Sequence, residues 1–174
     1  GMAQQAQSDW AWTDARELGV QGRPFADTER FYSRLPGRAQ GKVEGAVWGL
    51  AQQTTGLRVE FVTDSPRIGA RLALAPDPYR DGNLRSSSLD LYVQRGRRWG
   101  WVAVAPEMRG DGWEGELRKG LAPRRARYTL YLPHGAAVER LAIGVEPGSE
   151  LASAPRARRK PICFYGTSIV HGFC

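Results

Sequence analysis

From Lys42 onward the chain repeats one pattern, a short run of alternating apolar and polar residues followed by turn residues. Alternation at period two puts successive side chains on opposite faces, so such runs predict half-buried strands. Leu57, Val59 and Phe61 alternate with Arg58 and Glu60. A turn at Thr63-Asp64-Ser65-Pro66 leads into Ile68, Ala70, Leu72 and Leu74, which alternate with Gly69 and Arg71. Leu89, Leu91 and Val93 alternate with Asp90, Tyr92 and Gln94, and Arg95-Gly96-Arg97 turns the chain into Trp99 to Val104. Residues 113–117, 127–132 and 138–145 continue the series, and Val43 to Leu50 reads as its first member.

Between these runs lie loops. Residues 1–17 are polar apart from Trp10 and Trp12, a tail or first edge strand packed by its tryptophans. Residues 19–41 hold Gly22, Pro24, Pro36 and Gly37 and read as loop, with a short turn at Thr28–Ser33. Residues 76–87 are a polar loop with a tight turn at Asp81-Gly82-Asn83, and residues 148–159 form a Ser/Ala/Pro/Arg linker. No long stretch has helical periodicity before Ser168. Strands spaced by turns at roughly 8–12 residues predict a mostly β fold, an antiparallel two-sheet sandwich of jelly-roll type. No internal repeat points to a propeller or solenoid. The expected division is a sandwich over 1–155, a linker over 156–160, and a strand–turn fragment over 161–174.

That fragment carries the candidate chemistry. An apolar run, Ile162-Cys163-Phe164-Tyr165, ends at Gly166, and Thr167-Ser168 precedes Ile169 and Val170, which read as a first helical turn. A strand–turn–helix of this kind puts a serine on a tight bend, where backbone N–H groups can stabilise an oxyanion. A glycine turn with Ser168 merely capping a helix fits the same residues.

Composition narrows the partners. Net charge is +7, but the 22 Arg and 3 Lys are spread along the chain among 18 acids. Their densest groups, such as Arg95/Arg97/Arg98 and Arg156/Arg158/Arg159/Lys160, fall in turns and the linker, which argues against a nucleic-acid partner. Cys163 and Cys174 form no disulfide framework and no metal-ligand spacing, and no metal or cofactor is expected. No apolar run approaches the ~20 residues that span a membrane. Gly1 ahead of Met2 reads as a cloning remnant, and without a signal-peptide core a cytoplasmic location is the default, secretion being open if a leader was removed.

Tyr165-Gly166-Thr167-Ser168-Ile169-x-His171-Gly172 resembles the first sequence block of SGNH (GDSL-type) hydrolases. Upstream, Arg34-Leu35-Pro36, Val47-Trp48-Gly49-Leu50, Thr55-Gly56-Leu57, Thr63-Asp64-Ser65, Asp90-Leu91-Tyr92, Tyr131-Leu132-Pro133 and Ile143-Gly144-Val145 are similar, in order, to a bacterial subfamily. Its N-terminal domain takes its name from a Gly-x-Asp-Leu-Tyr motif. Ser88 stands where that motif has glycine, which puts in doubt any role needing positive φ there. The resemblance implies a β-sandwich accessory domain ahead of an α/β esterase domain, with Ser168 as nucleophile and an acylated carbohydrate as substrate. The family's Asp-x-x-His and its later oxyanion Gly and Asn have no counterpart among these residues, so the hydrolase domain reads as truncated and the isolated chain as inactive.

The histidines are His134 and His171, preceded three positions earlier by Tyr131 and Ser168. His171 shares a helical face with Ser168, yet a base needs an orienting partner, so local packing is the expected role. Trp99 and Trp101 lie two apart on one strand face, a sugar-stacking platform if outward and core if inward; large aromatics usually bury, which points to core. Asp90 and Tyr92 line a ligand groove or form a buried hydrogen-bonded pair. A central strand lacking its neighbours is exposed, so the run 162–165 is expected to pair with the sandwich edge or with a second copy of the chain. The second function reading is a stand-alone carbohydrate-binding module.

Overall fold

A computed structural model describes residues 9–79, 88–106, 110–155, 162–164 and 166–171. The tail before Asp9, the turn at 81–83, the linker 156–160, Tyr165 and Cys174 lie outside the described residues. In chain order the elements are β1 (Ala11–Asp14), α1 (Ala15–Leu18), β2 (Val20–Gln21), a 3-10 turn (Gly37–Ala39), α2 (Gly45–Leu50), β3 (Arg58–Thr63), β4 (Ile68–Leu74), β5 (Asp90–Arg95), β6 (Arg98–Val104), β7 (Gly112–Arg118), β8 (Ala126–Tyr131), β9 (Val138–Val145), β10 (Leu151–Ser153) and α3 (Ser168–His171).

The strands form a two-sheet antiparallel sandwich. One sheet runs β1-β9-β4-β7 and the other β10-β3-β8-β5-β6, with β2 added against β3. Period-two alternation builds the core. Val59 and Phe61 from β3, Leu91 from β5 and Leu130 from β8 join Ile68 and Leu72 from β4 and Leu141 and Ile143 from β9 in one buried cluster. Phe61, fully buried, stacks on Tyr128 with ring centroids 5.6 Å apart.

The tryptophan-bearing tail is an edge strand, as expected. β1 pairs with β9 and sets Trp12 opposite Gly144. A Cβ on Gly144 would come within 2.7 Å of the Trp12 ring, so glycine is what lets the indole lie on the sheet. Arg67 and Arg71 cover the outer faces of Trp10 and Trp12 at 4.3 and 4.9 Å from the ring centroids.

Three expectations are corrected here. Val43 to Leu50 is not a strand. Its apolar residues Val43, Val47 and Leu50, with Ala51 beyond, are spaced by three and four, and α2 forms over Gly45–Leu50 with Trp48 N–H donating to the Glu44 carbonyl at 2.9 Å. The stretch read as linker from Gly148 contains β10, which adds an edge to β3. It is clamped there by the Thr63 hydroxyl donating to the Glu150 carbonyl at 2.6 Å and by Glu150 N–H donating to Asp64 at 2.8 Å. The end of the presumed tail, residues 15–17, forms α1 together with Leu18, and its N-cap Asp14 accepts from Arg16 N–H at 2.8 Å. The Arg16 guanidinium bonded to it holds the Asp14 carboxyl below the usual carboxylate range.

Glu60 sits on the outer, polar side of β3 and is nevertheless buried. Arg58 donates to it at 3.0 Å, and Arg127 on the neighbouring β8 donates through Nε at 3.1 Å and again through Nη2. Removing the carboxylate leaves two guanidinium groups without their counter-ion. Arg58 keeps Gln21 and Arg127 keeps the Pro155 carbonyl as acceptors, however, and at 37% and 27% exposed both keep partial hydration. Glu60→Ala is therefore expected to cost about 1–3 kcal/mol, below the cost of breaking a fully buried pair. A lower urea midpoint at unchanged m-value checks it.

Ser88, in place of the motif glycine, fits without a left-handed backbone, since every positive φ among the described residues belongs to glycine. Its hydroxyl donates to the Ala105 carbonyl at 2.9 Å and ties the start of β5 to the end of β6.

Candidate functional site

Two features of the sandwich bear on function, an aromatic outer face and the seat of the C-terminal turn. The face is built by β5, β6 and β8. Trp99 and Trp101 are 41% and 60% exposed, so the expectation of core is overturned. The reason is a register shift between Leu91 and Tyr92. Leu91 pairs with Ala103 and Tyr92 with Trp101, which leaves Val102 as an extra residue on β6. A bulge re-aims the side chains beyond it. Ala103 and Ala105 point into the core, while Trp101 and Trp99 turn outward.

Register then places a row across the outer face, Glu60, Thr129, Tyr92 and Trp101, with Arg58, Tyr131, Asp90 and Val104 in the next row. The rings of Tyr92 and Tyr131 meet edge to face at 5.8 Å. Burial pushes the Asp90 carboxyl up, and the Trp101 indole bonded to it pulls the other way. Asp90 and Tyr92 thus share the outer face with Trp101, in adjacent rows. Thr129 is buried in the row, and its hydroxyl has no hydrogen-bond partner among the described residues.

The second feature lies at the end of the sandwich to which Tyr131 leads. Ile162, Cys163 and Phe164 are exposed and belong to no strand, which corrects the expected strand and its pairing with the sandwich edge. An isolated apolar run has no backbone partner without neighbouring strands. The bend after it does form. His171 N–H donates to the Thr167 carbonyl at 3.0 Å, and Ser168 is the exposed first residue of α3. A Cβ on Gly166 would approach the Val170 side chain to 2.6 Å, so the chain folds tightly back over this turn.

What pins the segment is His171. Its Nδ1 lies 3.2 Å from Arg34 Nη2, and its Nε2 lies 3.0 Å from Gln53 Oε1 and 3.1 Å from Thr55 Oγ1. The His134 ring packs against it edge to face at 5.5 Å, and His134 Nε2 donates to the His171 carbonyl at 2.7 Å. A guanidinium has only donors, so Nδ1 must accept; in a neutral imidazole the proton then sits on Nε2 and goes to Gln53. Burial and the nearby Arg34 and His134 push the His171 pKa down to about 4. With its lone pair turned to Arg34, His171 is not poised as the base for Ser168.

The seat itself is tied into the sandwich by hydrogen bonds. Arg34, whose charge is disfavoured by burial, donates to the Leu50 and Gln53 carbonyls at 2.7 and 2.9 Å. Gln53, fully buried, donates its amide to Asp77 and to the Tyr79 carbonyl, both at 3.1 Å. The turn that presents His134 needs Gly135 at φ 72°, where a side chain would be strained, and it directs Gly135 N–H at the Thr55 hydroxyl. Sequence reasoning missed Arg34, Gln53 and Thr55 as site residues. Arg34 and Thr55 nonetheless stand in two of the segments that carry the resemblance, and a polar residue there without a turn or cap to serve was the available signal.

Residues 10–151 match the GxDLY family, described as the N-terminus of SGNH-hydrolase-type esterases. A crystal structure from Bacteroides ovatus, described as a GDSL-like lipase, is similar at a TM-score of 0.76 and 26% identity, over 84% of this chain and 43% of that one. The salicylyl-acyltransferase SsfX3 of a tetracycline biosynthetic pathway shares the fold, at a TM-score of 0.60 and 21% identity, over 87% of this chain and 44% of its own. The chain thus spans less than half the length of either protein. No curated protein matches it.

Proposed function

Because the chain belongs to the GxDLY family, the N-terminal domain of SGNH-type esterases, we propose that it is the accessory half of an ester hydrolase whose nucleophile is Ser168. The observation that carries the reading is the state of the C-terminal segment. Ile162, Phe164, Ile169 and Val170 are 82%, 79%, 80% and 53% exposed, while His171 beside them is seated on the sandwich. Large apolar side chains left exposed along one short segment fit a surface that a further domain covers. In this reading 161–174 is the first strand and nucleophile turn of a hydrolase domain, and 156–160 is the link to it.

The substrate class we propose is an acylated carbohydrate. Trp101 and Trp99 offer flat apolar faces for sugar rings, and the half-buried Asp90 and Tyr92 supply polar groups beside them. The same face favours the second reading, a carbohydrate-binding module, because it stands complete on the sandwich without Ser168.

One experiment separates the two readings. The 174-residue chain is assayed on acetylated sugars beside a form extended past Cys174 through a hydrolase domain, from its own reading frame or from the Bacteroides relative. The short chain is expected to show background hydrolysis only, because an unactivated serine is a weak nucleophile. The extended form is expected to be active, and Trp101→Ala to raise its KM about tenfold through lost stacking. Sugar binding by a folded but inactive extended form would favour the binding module.

A further inference from the structure

The geometry points to a device in which the accessory domain sets the nucleophile turn: Arg34, Gln53 and Thr55 hold the His171 ring, and His171 fixes Ser168 one helical turn away. This rests on the reading of Ser168 as nucleophile. It gives the sandwich a task in the reaction beyond substrate binding, and it makes His171 a positioning residue.

The contacts suit that task. His171 is the last described residue of α3, and each of its ring nitrogens meets a sandwich side chain at 3.0–3.2 Å. Its backbone is held as well, by His134 through the carbonyl and by Thr167 through the N–H. A ring fixed at both nitrogens and a backbone fixed at both polar groups leave the turn little freedom. Nucleophile placement matters on this scale, since an ångström of misplacement costs about 100-fold in rate. The clamp comes from three separate stretches, with Arg34 ahead of the 3-10 turn, Gln53 and Thr55 between α2 and β3, and His134 after β8. The seat therefore exists only when the sandwich is folded.

The clamp is also sensitive to protonation. Among the described residues, Arg34 and His134 are charged or titratable groups that act on His171, with Asp77 behind Gln53. Protonating Nδ1 would set an N–H against the Arg34 guanidinium. Docked His171 has its pKa lowered to about 4 from 6.5, so the undocked form takes up the proton first. Docking is complete above about 6.5 and is lost as the pH falls toward 4.

The test uses the 15N-labelled 174-residue chain, which has only two histidines, so the signal absent from His171→Gln identifies the ring. The expected result is an Nε2–H tautomer at neutral pH that titrates near 4. In Arg34→Gln, and in Thr55→Val should the first variant unfold, the titration moves toward 6.5. Amide exchange over 167–171 then rises about tenfold or more while the core strands keep their protection. In the extended form, Thr55→Val lowers kcat about tenfold at unchanged KM and shifts the acid limb of the pH profile upward. A mixed-tautomer His171 titrating near 6.5 in the wild type would overturn the device. So would unchanged 167–171 exchange in a folded variant. An extended form indifferent to Ser168→Ala, with His171 still titrating near 4, would instead overturn the nucleophile reading and leave the dock standing.

Discussion

Phe61→Ala is expected to lower the stability of the sandwich by about 3–5 kcal/mol, a large share of the roughly 5–15 kcal/mol that holds a typical domain. Phe61 is fully buried at the centre of β3, between β2 and β10 on one side and β8 on the other. Its ring stacks on Tyr128 and belongs to the cluster that both sheets share. Truncation removes the ring from both layers and leaves a cavity that strands paired on both edges cannot collapse to fill. Chemical denaturation reads the loss directly. A cost under about 1 kcal/mol would mean that the two sheets are not packed through this residue.

Ser168→Ala is expected to remove about 10⁴-fold or more of kcat from an extended, active form, with KM little changed. The serine is exposed at the start of α3, so folding is expected to be untouched. Thermal unfolding of the variant beside its kinetics separates lost chemistry from lost structure. His171→Gln is expected to fall short of that loss, because His171 turns its lone pair to Arg34 and is not the base.

The architecture was largely legible because period two is a direct record of a sheet with one wet face. Each of the runs beginning at Leu57, Ile68, Leu89, Trp99, Trp113, Arg127 and Val138 became a strand within a residue or two of its predicted limits. What the pattern could not show depended on partners distant in sequence. β10 has little apolar character and exists because Thr63 and Asp64 clamp Glu150. The burial of Glu60 depends on Arg127 of β8. At α2, a run rich in apolar residues hid helical spacing behind strand-like composition.

The site was legible in part. Ser168 stands out through its motif, but the orientation of Trp99 and Trp101 turned on one unpaired residue, Val102, that no local pattern announces. In a regular strand Trp99, Trp101, Ala103 and Ala105 would all share one face. The bulge divides them between solvent and core. The role of His171 was hidden for a similar reason, since its partners lie 37 to 137 positions away.

The most direct measurement is covalent labelling of an extended form with a fluorophosphonate, followed by mapping of the modified peptide. An activated serine alone reacts readily, because attack on phosphorus needs the base that turns an alcohol into a nucleophile. The adduct is expected on Ser168, with none when the 174-residue chain is treated in the same way. An active extended form labelled at another residue would contradict the assignment of this chain as the nucleophile-bearing half of an esterase.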